Sequence, residues 1–180
     1  MKKTLQTLLF ALIAIMMPIG ASAQEIASDY AVVDYDAKIL TIDGTFGGKS
    51  EATDDEVAAL TETIKEYVKS GGSTVIVTGS EMAIHYNGYY DNYPAYADAL
   101  YYVTDGSTRT EFNGKVDLIL PDATKLVAPE FDSIYCLKSI TLPKVTTIGE
   151  SAFYGCYCQS QQVNYTWKSI TLTHTATMLD

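Results

Sequence analysis

Positive charge is scarce in this chain. Its 180 residues include 12 lysines and arginines against 22 aspartates and glutamates, which gives a net charge of −10. The basic residues form no cluster, whereas proteins that bind nucleic acid or anionic lipid surfaces concentrate lysine and arginine on one face. We therefore expect neither nucleic acid nor an anionic membrane among the partners, and we attribute the acidic balance to solubility.

Histidine and cysteine are also rare. The two histidines, His85 and His174, lie in no recognisable nucleophile or metal-binding motif, and the apolar stretch before His85 favours a buried structural role. The three cysteines, Cys136, Cys156 and Cys158, lack the second ligand pair of a zinc site. The sequence therefore predicts a protein that is not an enzyme and that holds no metal or other cofactor.

The apolar run near the N-terminus has the features of an export signal. Two lysines precede the run, which covers residues 8–19, and the small residues Ala21-Ser22-Ala23 follow it. The run is shorter than the roughly 20 residues that span a bilayer as a helix. Residues 1–23 are therefore predicted to be a signal peptide that is cleaved after Ala23, with no membrane insertion afterwards. We expect a secreted or cell-surface protein.

The clearest helix of the chain follows Thr53. Thr53 and Glu56 have the spacing of a capping box, and Asp54 and Asp55 suit the positive end of a helix. Apolar residues recur at helical spacing over residues 57–68, and two glycines then end the helix. The paired acids therefore have a structural explanation, and we assign them no catalytic role.

Strands are predicted on both sides of this helix, in an N-terminal α/β segment over residues 24–115. Residues 30–46 have the pattern of two short strands joined by a turn, and Val75-Ile76-Val77 is apolar on both faces. A strand, a crossover helix and a second strand favour parallel pairing with a right-handed connection. The segment either forms a separate small domain or continues the sheet of the repeats that follow, and the shared strand pattern favours continuity.

Residues 83–102 hold seven of the 14 tyrosines. Because asparagine, glycine, aspartate and proline interrupt this stretch, it is predicted to be a long structured loop with a helical turn at 95–100. Tyrosine offers rigid, amphipathic contact area that suits recognition of proteins or glycans. The candidate ligand-binding residues are therefore Tyr89, Tyr90, Tyr93 and Tyr96. The alternative is that these tyrosines pack over the fold as a lid.

Residues 116–180 contain an internal repeat. Leu118–Cys136 aligns with Ile140–Cys158 without a gap at an offset of 22 residues, and a third, incomplete copy begins at Ile170. A fixed period in the twenties, with alternating apolar residues at the start of each unit, predicts a solenoid whose stacked units share one core. The positions that would face outward on its sheet are Ser139, Thr141, Ser169 and Thr171.

The unit LKSITLPKVTTIGESAFYGC, at residues 137–156, resembles the repeat of BspA-like leucine-rich repeat proteins, which are bacterial surface and secreted proteins. The matching positions are Leu137, Ile140, Leu142, Pro143, Val145, Ile148, Gly149, Ala152, Phe153, Gly155 and Cys156. The preceding unit departs from the pattern at Ala123, Val127 and Glu130. The resemblance implies a short, irregular, right-handed α/β solenoid with a parallel β-sheet face, and a role in adhesion.

Cys136 and Cys158 occupy equivalent positions of adjacent repeat units. Neighbouring strands lie ~4.8 Å apart, and a disulfide tolerates that separation. Either the cysteines stay free, which is the alternative we favour, or Cys136 and Cys158 form a disulfide.

The function predicted from the sequence is a secreted, non-enzymatic interaction protein. It would bind protein or glycan at the cell surface through the Tyr-rich stretch or through the Ser/Thr face of the sheet. An alternative is a structural module that self-associates through its unfinished C-terminal end. An envelope hydrolase has the least support, because no acid/base pair lies at a usable spacing.

Overall fold

The computed structural model of this protein describes residues 24–88, 93–104, 109–127, 130–154, 169–172 and 177–178. Three sheets and three helices make up this part of the chain. The strands are β1 (Gln24–Ser28), β2 (Ala31–Asp34), β3 (Ile39–Asp43), β4 (Thr74–Thr78), β5 (Ile84–His85), β6 (Tyr93–Pro94), β7 (Val116–Ile119), β8 (Lys125–Leu126), β9 (Leu137–Leu142), β10 (Thr147–Ile148), β11 (Ser169–Leu172) and β12 (Thr177–Met178). The helices are α1 (Asp54–Lys69), α2 (Ala95–Val103) and α3 (Arg109–Phe112).

The largest sheet has seven strands in the order β1-β2-β3-β4-β7-β9-β11. The pairs β1–β2 and β2–β3 are antiparallel, and every later pair is parallel. The N-terminal strands and the strands of the repeat region therefore belong to one continuous sheet. This arrangement agrees with the predicted strand–helix–strand unit, since β3 and β4 are parallel and α1 lies between them in the chain.

Strand pairing follows the offset of the sequence repeat. Leu118 in β7 lies opposite Ile140 in β9, and Ile140 lies opposite Ile170 in β11. The small sheet repeats this order, with Leu126 of β8 beside Ile148 of β10. Each repeat unit therefore contributes one strand to the large sheet and one to the small sheet. The solenoid itself and its handedness stay predictions.

Helix α1 has the predicted cap and the predicted buried face. The Thr53 side chain accepts a hydrogen bond from the N–H of Glu56, whose carboxylate accepts one from the N–H of Thr53. Its apolar face packs into the core through Val57, Leu60, Ile64 and Tyr67. The Tyr67 hydroxyl lies within hydrogen-bond distance of two carbonyl oxygens, at Lys38 and Thr74, so one side chain connects α1 to the starts of β3 and β4.

Helix α2 extends the helical turn that was predicted at residues 95–100 within the long loop over residues 83–102. The helix begins directly after Pro94 and continues to Val103, beyond the predicted turn. Seven of its nine residues are buried, and it packs against α1. A helix that is buried on nearly every side has no polar face, and so it lacks the periodic pattern that identifies an amphipathic helix in a sequence.

Candidate functional site

His85 is held between α1 and α2 by the backbone bonds of strand β5. Ile84, its neighbour in β5, donates its N–H to the carbonyl of Ser50 (3.0 Å) and accepts a bond from the N–H of Ala52 (2.8 Å). These bonds attach β5 to the segment that enters α1. Strand β6 pairs with β5 and leads directly into α2. The imidazole is therefore positioned where the first turn of α1 meets α2.

The imidazole of His85 bridges two carboxylates. Its Nδ1 lies 2.5 Å from Oδ2 of Asp98 in α2, and its Nε2 lies 2.8 Å from Oδ1 of Asp54 in α1. The Asp98 side chain is 0% exposed and also accepts a hydrogen bond from the Asn87 amide at 3.1 Å. The Asp54 side chain is 95% exposed. One side of the bridge is therefore buried, and the other is in solvent.

The two carboxylates determine the charge of the imidazole. Burial alone would lower the pKa of His85, but hydrogen bonds to Asp54 and Asp98 and the negative charge of both groups raise it above its ordinary value of 6.5. The imidazolium is therefore favoured to a higher pH than in an isolated histidine. A charged His85 also neutralises the buried carboxylate of Asp98, which would otherwise be costly to bury.

A cleft of about 620 Å³ opens beside His85. This volume falls within the roughly 300–1,000 Å³ that small-molecule sites occupy. The rings of Tyr86 and Tyr102 lie at the cleft and are 58% and 37% exposed. Lys65 and Glu62, which line it on α1, form an ion pair at 2.8 Å. Among the described residues, the cleft is lined by Asp54, Val57, Ala58, Thr61, Glu62, Lys65, His85, Tyr86, Asn87 and Tyr102.

The aliphatic hydroxyl of Thr61 at the cleft is engaged by the backbone. Thr61 is the one aliphatic hydroxyl among the described lining residues, and its oxygen lies within hydrogen-bond distance of the carbonyl oxygens of Val57 (2.8 Å) and Ala99 (3.3 Å). It therefore points into the backbone rather than toward His85 as an activated nucleophile would. Within the described ranges, no group of three or more His, Cys, Asp or Glu side chains could hold a metal ion.

The four tyrosines predicted from the sequence do not form one described site. Tyr89 and Tyr90 lie outside the described residues. Tyr93 and Tyr96 are buried, and the Tyr96 hydroxyl donates a hydrogen bond to the carboxyl group of Glu130 inside the core. The side chains of Tyr93 and Tyr96 are therefore packed in the interior, which agrees with the alternative that part of the stretch covers the fold.

The predicted Ser/Thr face is present where the structure describes its side chains. Ser139 and Thr141 in β9 are partly exposed, and the Ser139 hydroxyl donates to the carboxylate of Asp117 on β7. The side chains of Ser169 and Thr171 lie outside the described residues. The cleft beside His85 is concave, and concave sites enclose much of a small ligand.

The cysteine predictions remain open. Cys136 is buried, and its sulfur lies 3.3 Å from the carbonyl oxygen of Leu100 in α2. Cys158 lies outside the described residues, so the alternatives of free thiols and a Cys136–Cys158 disulfide stay predictions.

The cleft combines residues to which the sequence assigned other roles or none. His85 was predicted to be a buried structural histidine, and Asp54 was explained as the acidic start of a helix. Both descriptions hold, but the two side chains also meet across 31 positions of sequence, and His85 meets Asp98 across 13. No motif has these spacings, so only the packing of α1 against α2 could show the site.

A scan against protein-family models and searches of curated proteins and of solved structures found no match for this chain. The resemblance to BspA-like repeats therefore stays a prediction from the residues of one unit. Among the described helices, none is both long enough and apolar enough to cross a membrane.

Proposed function

We propose that this protein is a secreted, non-enzymatic interaction protein that binds a short glycan in the cleft beside His85. The observation that carries the proposal is the cleft itself, which combines a volume of about 620 Å³ with exposed tyrosine rings and fixed polar groups. Tyrosine rings offer apolar faces to sugar rings, and carboxylate, amide and imidazole groups exchange hydrogen bonds with hydroxyls.

The charges in the cleft favour a neutral ligand. Lys65 is paired with Glu62, and His85 is paired with Asp98 and Asp54. An anionic ligand would have to break one of these ion pairs to reach a cation, and it would approach the carboxylates that remain. A neutral sugar can instead donate its hydroxyls to these carboxylates without the loss of an ion pair. The uncharged glycan is therefore the ligand class that the cleft fits best.

The parallel sheet supports the scaffold part of the proposal. We take the units that share the 22-residue offset to be turns of a short, irregular leucine-rich solenoid, since backbone bonds join the same positions of neighbouring units. An example is the bond from the N–H of Thr146 to the carbonyl of Thr124, 22 positions earlier (2.8 Å). Export rests on the predicted signal peptide, and adhesion rests on the resemblance to BspA-like proteins.

A glycan array followed by calorimetry tests the proposal. The purified protein should retain neutral oligosaccharides, and Tyr86→Ala or Tyr102→Ala should each weaken binding about tenfold, equivalent to about 1.4 kcal/mol. Tyr154→Ala is the matched control, because Tyr154 is also exposed but does not line the cleft, and it should bind as the wild type does.

Three outcomes would contradict the proposal. One is a wild-type protein that retains a protein partner and no glycan, and another is a pair of cleft variants that bind as tightly as the wild type. Cleavage of a bound glycan by the protein would contradict the non-enzymatic part of the proposal.

A further inference from the structure

The number of protons on His85 limits the number of carboxylates that it can satisfy. An imidazolium has two N–H donors, so Nδ1–H can donate to Asp98 while Nε2–H donates to Asp54. A neutral imidazole has one N–H and one lone pair. One of the two carboxylates must then lose its hydrogen bond and would face a lone pair instead.

Burial decides which hydrogen bond is kept. The Asp98 carboxylate is 0% exposed, and without the imidazole N–H it would lose a donor that water cannot replace. The Asp54 carboxylate is 95% exposed and can take its hydrogen bonds from water. The neutral imidazole therefore keeps its proton on Nδ1 toward Asp98, and Nε2 loses the proton on the side that faces the cleft.

We propose that deprotonation of His85 opens the cleft to its ligand by releasing Asp54 and turning Nε2 into a hydrogen-bond acceptor. This inference rests on the proposed function, because the released groups are those that accept hydroxyls from a neutral sugar. In the protonated form Nε2–H occupies one Asp54 oxygen, so a ligand hydroxyl can reach only the remaining lone pairs of that carboxylate and finds no acceptor on the ring. In the neutral form both groups are available, so the ligand binds more tightly.

Several charged or titratable groups of the described chain contact His85 or line the cleft with it, and none of them has an ordinary pKa between about 5 and 8, as histidine does. They are Asp54, Glu62 and Lys65 on α1, Asp98 and Tyr102 on α2, and Tyr86 directly after β5. The two carboxylates that contact the ring raise the pKa of His85, which moves the transition above that of an ordinary histidine.

NMR titration of the imidazole tests the proton step without a ligand. The chain has two histidines, so His85→Gln assigns the signals of His85 by difference. With rising pH, the nitrogen shifts of His85 should show proton loss at Nε2 and retention at Nδ1. Asp54→Asn should lower the pKa of His85, because it removes a negative partner. A neutral form that carries its proton on Nε2, or a pKa that Asp54→Asn leaves unchanged, would overturn the inference.

Calorimetry across pH tests the coupling to the ligand. The probes are maltotriose, cellotriose and triacetylchitotriose, and binding of the one that the protein retains should strengthen about tenfold from pH 5 to pH 9. His85→Gln should remove this dependence, and His174→Gln should keep it. Affinity that stays constant while the imidazole titrates would overturn the inference but leave glycan binding intact. Absence of binding at every pH would refute the proposed function, while the NMR result would still report on the bridge.

Discussion

At the scale of single residues, Glu130 shows how a repeat position can acquire a charged group. In the 22-residue alignment it stands where the next unit has Ala152, a buried position, and Glu130 is itself buried. Its carboxyl group accepts hydrogen bonds from the Tyr96 hydroxyl and from the N–H of Val127, the latter at 2.8 Å. Burial raises the pKa of Glu130 to about 7, although both hydrogen bonds lower it in part.

We expect Glu130 to make the protein less stable as pH rises. Its ordinary pKa is 4.5, so between 4.5 and about 7 the folded state holds a proton that the unfolded chain has released. The associated stability is fully present below pH 4.5 and is lost as pH rises through 7. Glu130→Gln should therefore flatten the decline of the free energy of unfolding, measured by urea denaturation between about pH 5 and 8.

A second substitution tests the same prediction by raising the pKa of Glu130 instead of removing its carboxyl group. The Tyr96 hydroxyl lowers the pKa of Glu130, so Tyr96→Phe should raise that pKa and move the decline in stability to higher pH. His85 also has a raised pKa and contributes a decline of the same sign, but it is present in all three proteins and cancels in the comparison. Equal pH dependence in wild type and Glu130→Gln would show that Glu130 is not the titrating group.

At the scale of elements, the start of α1 is fixed by a small polar network. The carboxylate of Glu56 accepts hydrogen bonds from the N–H of Thr53, from the Tyr30 hydroxyl and from the ammonium group of Lys49. Burial alone would raise the pKa of Glu56, but these donors lower it to about 2. The stability that Glu56 contributes is therefore present above pH 4.5 and is lost as pH falls toward 2.

Removal of the cap should weaken the whole element. Thr53→Ala deletes the side-chain oxygen that accepts from the N–H of Glu56, and loss of such a cap costs about 1 kcal/mol. The free energy of unfolding from urea denaturation should fall by that amount. Thr53→Ser retains the oxygen and is the matched control, with stability close to wild type. A loss of the same size in both variants would assign the effect to the methyl group instead.

The two long helices differ in how far the sequence could predict them. Helix α1 is amphipathic and capped, so its start and its buried face follow from residue spacing alone. Helix α2 is buried on nearly every side, and the turn signals up to Pro94 limited the prediction to a helical turn at 95–100 within a long loop. Its burial depends on α1 and on the repeat units, which are distant in sequence.

At the scale of the whole molecule, the predicted export signal can be tested directly. Expression of residues 1–180 in a bacterial host should yield an exported protein whose N-terminal residue is Gln24, as measured by intact mass and N-terminal sequencing. Ala23→Arg should block cleavage, because the signal peptidase requires a small residue there. Ser22→Arg is the control and should still be cleaved, since the middle position of the small-residue motif is permissive. An uncleaved wild-type protein in the cytoplasm would contradict the prediction.

The sequence by itself determined the periodic features of this protein. The 22-residue offset places Leu118 opposite Ile140, because residues that are buried on one face recur at a regular spacing in the sequence. The capping box starts α1 and consists of residues that are close together in the sequence. Only the tertiary structure decided that the predicted turn at 95–100 is part of a longer buried helix, that Tyr96 is internal, and that His85 lies between two carboxylates at a cleft. Those features arise from contacts between distant segments, and such contacts leave no period in the sequence.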